Sequence, residues 1–359
     1  MPAATLDLDF LRDLCLAPGP SGYEEPVQQV VARRARGFAE VESDALGNVL
    51  AHAGAGAPPH VLIAAHADQI GAVVTSIDEH GFLLLDKIGH LEPDLLPGKS
   101  LVVWTAAGPV EAVAGHRPWY AVQHRPAEKK PSTIDEHWLD IGAQSREEAL
   151  SLVAIGDPVT FAPRFAELAG GRYASPALDD RAGVYVAFRA LELVAAERPA
   201  ARLTAVATLG EETVFLGARA LAASARPDVV IAVDVTFASD HPSVGPKELR
   251  GRVDLGAGPV LERGTFLNKR LFRLACDVAD DEGIPVQVHA SGGETLTDAD
   301  ELMVAASAAT MLVSVPVRYM HSPAEVVHGD DVEATARLLA ALCRRIASDF
   351  EPGIFAPRL

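Results

Sequence analysis

Glu211 and Glu212 stand side by side where an apolar run, Leu203 to Leu209, stops at Gly210. Two ionised carboxylates at the end of a buried strand repel each other and lose hydration. No Lys or Arg is adjacent to them, and the basic candidates Arg181 and Arg219 are too few to neutralise all the acids that occur in similar settings. "VLIAAH" delivers His66 and then Asp68, "DVVIAVD" delivers Asp234, and "SVPVRYMH" delivers His321. The loop "SPALDDRAG", ahead of a long helical segment, delivers Asp179 and Asp180. Singly, each has an ordinary explanation: a strand-end Asp commonly caps a helix, and a lone His is commonly a partly buried side chain. Together, two imidazoles and several carboxylates from five segments make a mixed nitrogen and oxygen ligand set, suited to zinc and also to cobalt or manganese. Two divalent ions balance such a cluster, polarise a carbonyl and generate hydroxide near neutral pH, which is the chemistry of hydrolysis. Neighbours on a strand point to opposite faces. One glutamate of the doublet is therefore expected to hold metal while the other reaches the bound water and moves protons; this reasoning leaves open which does which.

The elements that must position these residues alternate along the chain. Residues 5–16 and 24–38 read as short amphipathic helices joined by "APGPSGYEE", "GNVLAHAG" as a strand, "GAGAPP" as a turn and "HVLIAAHADQIG" as a buried strand. Over 74–164 the pattern changes to short alternating stretches punctuated by glycine and proline, which predicts a small all-β module. Within it, "QHRPAEKKPSTIDEHW" (123–138) reads as an exposed loop. After residue 165 helix and strand patterns alternate again. Strands apolar on both faces, separated by helices, predict a mostly parallel sheet sandwiched by helices, interrupted after its first third by the β insert. In open sheets of this kind, ligands bind beyond the carboxyl ends of the strands, where the candidate residues fall.

The 359 residues supply ample core, and a composition 49% hydrophobic and 6% aromatic fits a soluble α/β chain. The formal charge of −18 argues against nucleic acid as a partner, because phosphate contacts need a basic footprint. No apolar run reaches the roughly 18 residues that span a bilayer. The N-terminus "MPAATLDLDFLRDLC" lacks the basic region of a secretory signal. Cys15, Cys276 and Cys343 lie far apart in apolar segments and read as free thiols in a reducing compartment, so the expected location is the cytoplasm.

With these residues in view, the chain resembles the M42 family of co-catalytic metallo-aminopeptidases, of the glutamyl aminopeptidase and tetrahedral aminopeptidase type. The likeness rests on "APGPSGYEEPV" (17–27), "HADQIG" (66–71), "WLDIGAQSREEALSLVAIGDPVTF" (138–161), "SPALDDRAGVYVA" (175–187), "GEETVFLGA" (210–218), "AVDVTFASD" (232–240), "LGAGPVL" (255–261) and "RYMHSPAEVV" (318–327), in that order. The resemblance implies a zinc-peptidase-like catalytic domain over 1–73 and 165–359, with an inserted β dimerisation domain over 74–164. It also implies that His66 binds one metal and His321 the other, and that Asp179 bridges the two with a cis peptide bond following it. Glu212 becomes the metal ligand of the doublet, Glu211 the general base and acid, Asp234 a ligand on the remaining metal face, and Asp68 the partner that orients His66. Two divalent ions per subunit follow, zinc foremost. The implied partners are peptide substrates and further copies of the chain, dimers assembling into a tetrahedral dodecamer. Gln69 stands where the family usually has Glu, "GHRPWYAV" (115–122) departs from the usual insert sequence, and "SGGETLTDADEL" (291–302) carries extra residues before Thr297.

The expected activity is removal of N-terminal residues from peptides. One alternative is a metal-free glycoside hydrolase of glucanase type. It needs two carboxyls about 5–10 Å apart across a sugar ring, leaves the histidines unexplained, and fits poorly with so few aromatics. A second alternative is a non-catalytic metal-binding assembly protein, which an intact ligand set with Glu211 argues against.

Overall fold

The computed structural model describes residues 5–116, 131–249, 251–351 and 355. The chain opens with helices α1 (Leu8–Leu16) and α2 (Glu25–Ala35) and strands β1 (Glu40–Ser43), β2 (Val49–Ala53) and β3 (Ala57–His66). There follow β4 (Gly71–Ile77), β5 (Leu83–Ile88), β6 (Ser100–Thr105), β7 (Gly108–Ala114), β8 (Trp138–Asp140), α3 (Arg146–Leu152) and β9 (Pro158–Phe161). The next stretch holds β10 (Ala166–Leu168), β11 (Arg172–Ser175), α4 (Leu178–Ala195), β12 (Ala201–Thr208), α5 (Glu211–Val214), α6 (Leu216–Ala225) and β13 (Val229–Phe237). The chain closes with β14 (Val260–Glu262), α7 (Lys269–Glu282), β15 (Gln287–His289), α8 (Asp298–Ala306), β16 (Ala309–Val317), β17 (Glu325–His328) and α9 (Gly329–Asp349).

An eight-stranded sheet runs in the order β1-β2-β12-β3-β13-β16-β14-β15. Its centre, β12-β3-β13-β16, is parallel, as runs such as "VLIAA" and "VVIAV" that are buried on both faces require. Its flanks are mixed: β1 with β2, β2 with β12, and β14 with β16 pair antiparallel while β14 with β15 is parallel, so the sheet is mixed, with four of its seven pairings in the expected parallel sense. The short connection from Ser43 to Val49 is one cause, because a link of that length permits only antiparallel pairing. Helices α4 and α9 pack on one face around Leu178, Tyr185, Phe188, Leu338 and Leu342, and α6 and α8 cover the other around Ala218, Leu221 and Leu302.

Strands β4 to β9 close into a separate barrel, in the order β4-β5-β8-β7-β6-β9, around its own cluster of Ile77, Leu83, Leu96, Leu101 and Leu139. The glycine- and proline-punctuated stretch is thus β-rich, but it also holds helix α3, which Ser145 caps by accepting the N–H of Glu148. Ala149 of α3 joins the barrel core, and the apolar spacing of "REEALSL" is too short to stand out from strand alternation. The exposed loop expected over 123–138 lies outside the described residues as far as 130, as does most of 115–122. Its last part forms a single turn at Ile134–Glu136 before β8. A three-stranded sheet, β10-β11-β17, was not anticipated; it brings the segment before α4 alongside the segment after His321.

Candidate metal centre

The parallel register sets the site. Thr208 at the end of β12 lies opposite His66 at the end of β3, and Ala232 of β13 lies opposite Ala64, which puts Asp234 level with His66. Strands β12 and β3 therefore stop at one rim, while β13 runs on past Asp234 to Phe237, so Asp234 lies within its strand rather than at the end expected from the sequence. Past Thr208 the chain does not continue as a strand. Gly210 takes a left-handed conformation (φ 66°), and Glu211–Val214 forms one helical turn. The strand alternation expected for the glutamate doublet does not apply, and both carboxylates face the same buried cluster: Glu211 Oε2 lies 3.9 Å from His66 Nε2, and Glu212 Oε1 lies 3.3 Å from His321 Nε2.

Asp179 sits between the histidines. Its Oδ1 lies 3.1 Å from His66 Nε2 and its Oδ2 lies 3.1 Å from His321 Nε2. The Asp179–Asp180 peptide bond is cis. Residue Asp234 completes the group, with Oδ1 4.0 Å from His66 Nε2. His321 follows β16 only after a turn, since the strand ends at Val317 and His321 itself has φ 58°.

Asp68 lies beyond the end of β3 rather than on its face, yet it reaches His66, with Oδ1 3.4 Å from Nδ1. This is an ion-pair contact, and His66 Nδ1 has no hydrogen-bond partner. The carboxylate of Asp68 does more: it accepts the backbone N–H of Glu211 on Oδ1 and that of Glu212 on Oδ2, both at 3.1 Å, and the hydroxyl of Ser21 at 2.5 Å. It thus pins the doublet to the loop at the start of the chain. Ser21 belongs to the "PSGYEE" turn, where only its position before a helix stood out in the sequence. Glu24 of the same turn accepts the N–H of Gly210 at 3.0 Å.

Three further residues emerge only from the fold. His90, from the barrel, stacks on His321 with ring centroids 6.1 Å apart and planes inclined by 11°. Gly89 has φ 70°, and a Cβ there would lie 3.0 Å from Ile70 Cγ2 and 3.3 Å from the Cβ and carbonyl oxygen of Glu212, so a side chain would crowd the glutamate doublet. Asp298 accepts from the Thr208 hydroxyl at 2.5 Å while its Oδ1 is buried without a partner. The two basic candidates make their hydrogen bonds and ion pairs away from the candidate ligands. Arg181 is fully buried and donates to the carbonyls of Leu14 and Ala17 and to Gln69 Oε1, and Arg219 pairs with Glu301 at the surface. Gln69 therefore meets Arg181 as a neutral amide.

The electrostatics agree with a cluster built around cations. Burial pushes the Asp234 carboxyl up to about 8 and that of Glu211 up to about 10, with acidic neighbours adding to it and His66 opposing. Burial alone would lower the imidazoles; Asp179 and Glu212 overcome it and lift His321 to about 11, and Glu211 with Asp179 and Asp68 raises His66 as well. Burial would also raise Asp179, but the two histidines hold it well below the ordinary carboxylate range. In the protein alone, protons thus serve as the counter-charge. Donor atoms of His66, Glu211 and Asp234, and of His66, Asp179 and Glu212, all lie within 4.8 Å of one another in each group. Imidazole nitrogen and carboxylate oxygen at that spacing fit a divalent ion, and the orphaned His66 Nδ1 next to Asp68 matches the orienting contact that metal-bound histidines make.

Comparison with known proteins follows the same line. The family described as M42 glutamyl aminopeptidase matches residues 47–338. The lysyl aminopeptidase of Pyrococcus furiosus is 36% identical over 97% of this chain and 100% of its own length. The solved TET aminopeptidase of the archaeon Thaumarchaeota archaeon SCGC AB-539-E09 superposes with a TM-score of 0.87 at 30% identity, covering 94% of this chain and 96% of its own. The TET1 peptidase of Pyrococcus horikoshii, described as able to assemble into a tetrahedron or a large octahedral shell, gives a TM-score of 0.84 at 31% identity, over 93% and 98% of the two chains.

Proposed function

The chain belongs to the M42 glutamyl aminopeptidase family, and we propose on that premise that it removes N-terminal residues from peptides by hydrolysis at the cluster around Asp179. The observation that carries this reading is the division of the Asp179 carboxylate, one oxygen towards His66 and the other towards His321. His66 and Asp234 would hold one divalent ion, His321 and Glu212 the other, with Asp179 common to both. Zinc is the foremost candidate, cobalt and manganese the alternatives. Ions bound there supply Lewis-acid polarisation of the scissile carbonyl and a lowered pKa for water.

The chain's own part in the reaction falls to Glu211. Its carboxylate takes a proton from the attacking water as the new C–O bond forms, and returns that proton to the leaving amine as the C–N bond breaks. The Asp68 carboxylate holds the backbone of Glu211 and Glu212, and so fixes where the base stands.

The closed barrel supports the reading of 74–164 as an inserted dimerisation domain in a zinc-peptidase-like chain, and the likeness to the Pyrococcus horikoshii peptidase supports a homo-oligomer in which dimers build a tetrahedral dodecamer. Sedimentation of the purified protein tests that assembly. The free state of all three cysteines supports a cytoplasmic location; among the described residues no helix is long and apolar enough to cross a membrane.

The deciding experiment is chelation followed by assay on amino-acid arylamides and short peptides, with zinc, cobalt or manganese restored in turn. Activity should vanish with the ions and return with at least one of them. Hydrolysis that persists in the chelated protein would overturn the reading.

A further inference from the structure

Two candidate ligands, His321 and the Asp179 that would serve both ions, share a feature beyond their side chains. Asp179 lies two residues after Ala177, which has φ 65°, and Asp179 itself departs from helical geometry at the start of α4. A backbone N–H in the first turn of a helix has no partner within it. His321, at φ 58°, leaves the regular pairing that ended with β16. The Asp179 N–H is buried and the His321 N–H partly so, and a donor left unpaired there is costly. One side chain satisfies both. Glu325, 2% exposed, accepts the Asp179 N–H on Oε2 at 2.9 Å and the His321 N–H on Oε1 at 2.8 Å.

We propose that Glu325 is a positioning residue that holds Asp179, the ligand common to both ions, in register with His321 by accepting one backbone N–H from each. The inference rests on the metal-centre reading above and extends it to a residue outside the ligand set.

Residue type and topology support it. Both partners are donors, so both oxygens of the clip must be acceptors; a carboxylate offers that and a carboxamide does not. Glu325 opens β17, which pairs with β11 so that Glu325 lies opposite Ser175. Strand β11 leads through Ala177 into Asp179, while the turn from β16 through His321 leads into β17. The three-stranded sheet thus carries the clip to the point where the two ligand segments pass each other. Asp68 makes the matching clip on Glu211 and Glu212. Two buried carboxylates therefore hold the backbone of four of the candidate site residues.

The test uses the full chain stripped of metal and titrated with cobalt, following the visible absorption of the bound ion and competition with a chelator. Glu325→Gln keeps the volume but turns an amide N–H towards one of the two backbone donors. It should weaken cobalt binding about 10- to 100-fold and change the absorption bands. Glu325→Asp, which keeps both acceptors on a shorter stem, should recover part of the affinity and serves if the first variant does not fold. Glu333→Gln, which disturbs the buried Tyr185 bond between α4 and α9, is the control for lost stability alone. If both Glu325 variants bind cobalt as wild type does, or if the control loses as much affinity as they do, the role of Glu325 is overturned. If wild type itself takes up no cobalt, the metal-centre reading fails first, and that result is distinct from the other two.

Discussion

His66 Nε2 meets Asp179 Oδ1 at 3.1 Å across 113 positions of chain, and the second oxygen of that carboxylate is turned to His321. A single side chain thus joins two imidazoles that no local pattern brings together. Replacing Asp179 by Asn removes one charged oxygen while keeping the shape. Asp179→Asn should reduce metal content to roughly one ion per chain or fewer and abolish turnover. Elemental analysis of the purified variant checks this, and two tightly held ions would contradict it.

Glu211→Gln separates metal binding from proton transfer. The amide cannot take a proton from water, so turnover should fall by about 10²–10⁴-fold, while metal content stays near that of wild type. Measuring both on one preparation is enough; a variant with unimpaired kcat would remove Glu211 from the mechanism.

Asp68→Asn tests the clip on the glutamate doublet. The asparagine retains one acceptor, so one of the N–H groups of Glu211 and Glu212 loses its bond. A loss of about 10- to 100-fold in kcat or metal affinity is expected, with the larger share in kcat if Glu211 is displaced. Steady-state kinetics with metal titration reads the split.

The pH dependence of the metal-free protein has a definite sign. Asp234 is raised from its ordinary value to about 8, Glu211 to about 10 and His321 to about 11. A group whose folded pKa is raised contributes stability that is complete below its unfolded pKa and lost as pH rises through the folded one. The carboxyls therefore lose their contribution from about pH 4 upwards and His321 from about pH 6.5 upwards. Asp179, whose pKa is lowered, acts in the opposite direction at low pH. Chelated protein should melt at progressively lower temperature from about pH 5 to pH 9, and metal binding near pH 7 should release protons. Calorimetric titration in buffers of different ionisation enthalpy measures that release; proton uptake would be the wrong sign.

Gly183 is confined by its neighbour. Asp180 Oδ1 accepts the Gly183 N–H at 2.9 Å, and a Cβ at Gly183 would collide with both oxygens of that carboxylate. Gly183→Ala should destabilise the fold by about 1–3 kcal/mol and disturb the start of α4, so thermal melting and metal content should fall together.

The residue types of the centre, and their positions where apolar runs stop, were legible in the sequence because burial on both faces of a strand leaves a local signature. Charge logic at Glu211 and Glu212 pointed to cations without any coordinates. The M42 likeness implies Glu212 as the ligand and Glu211 as the base, a choice that chemistry alone leaves open. Other features had no local signature. The glutamates lie on a helical turn, because Gly210 reverses the chain at a point where hydrophobic period still reads as strand. The antiparallel pairings of β2 with β12 and of β14 with β16, the barrel's His90 against His321, the Ser21 hydroxyl on Asp68 and the Glu325 clip all join segments far apart in the chain. Periodicity reports which face of an element is buried; pairing order and turn geometry decide which buried faces meet. The sequence by itself determined which imidazoles and carboxylates accompany the buried strands, because burial on both faces leaves a local pattern; only the tertiary structure decided that they meet, with the Asp179 carboxylate turned to both histidines, because pairing order and turns act between distant segments.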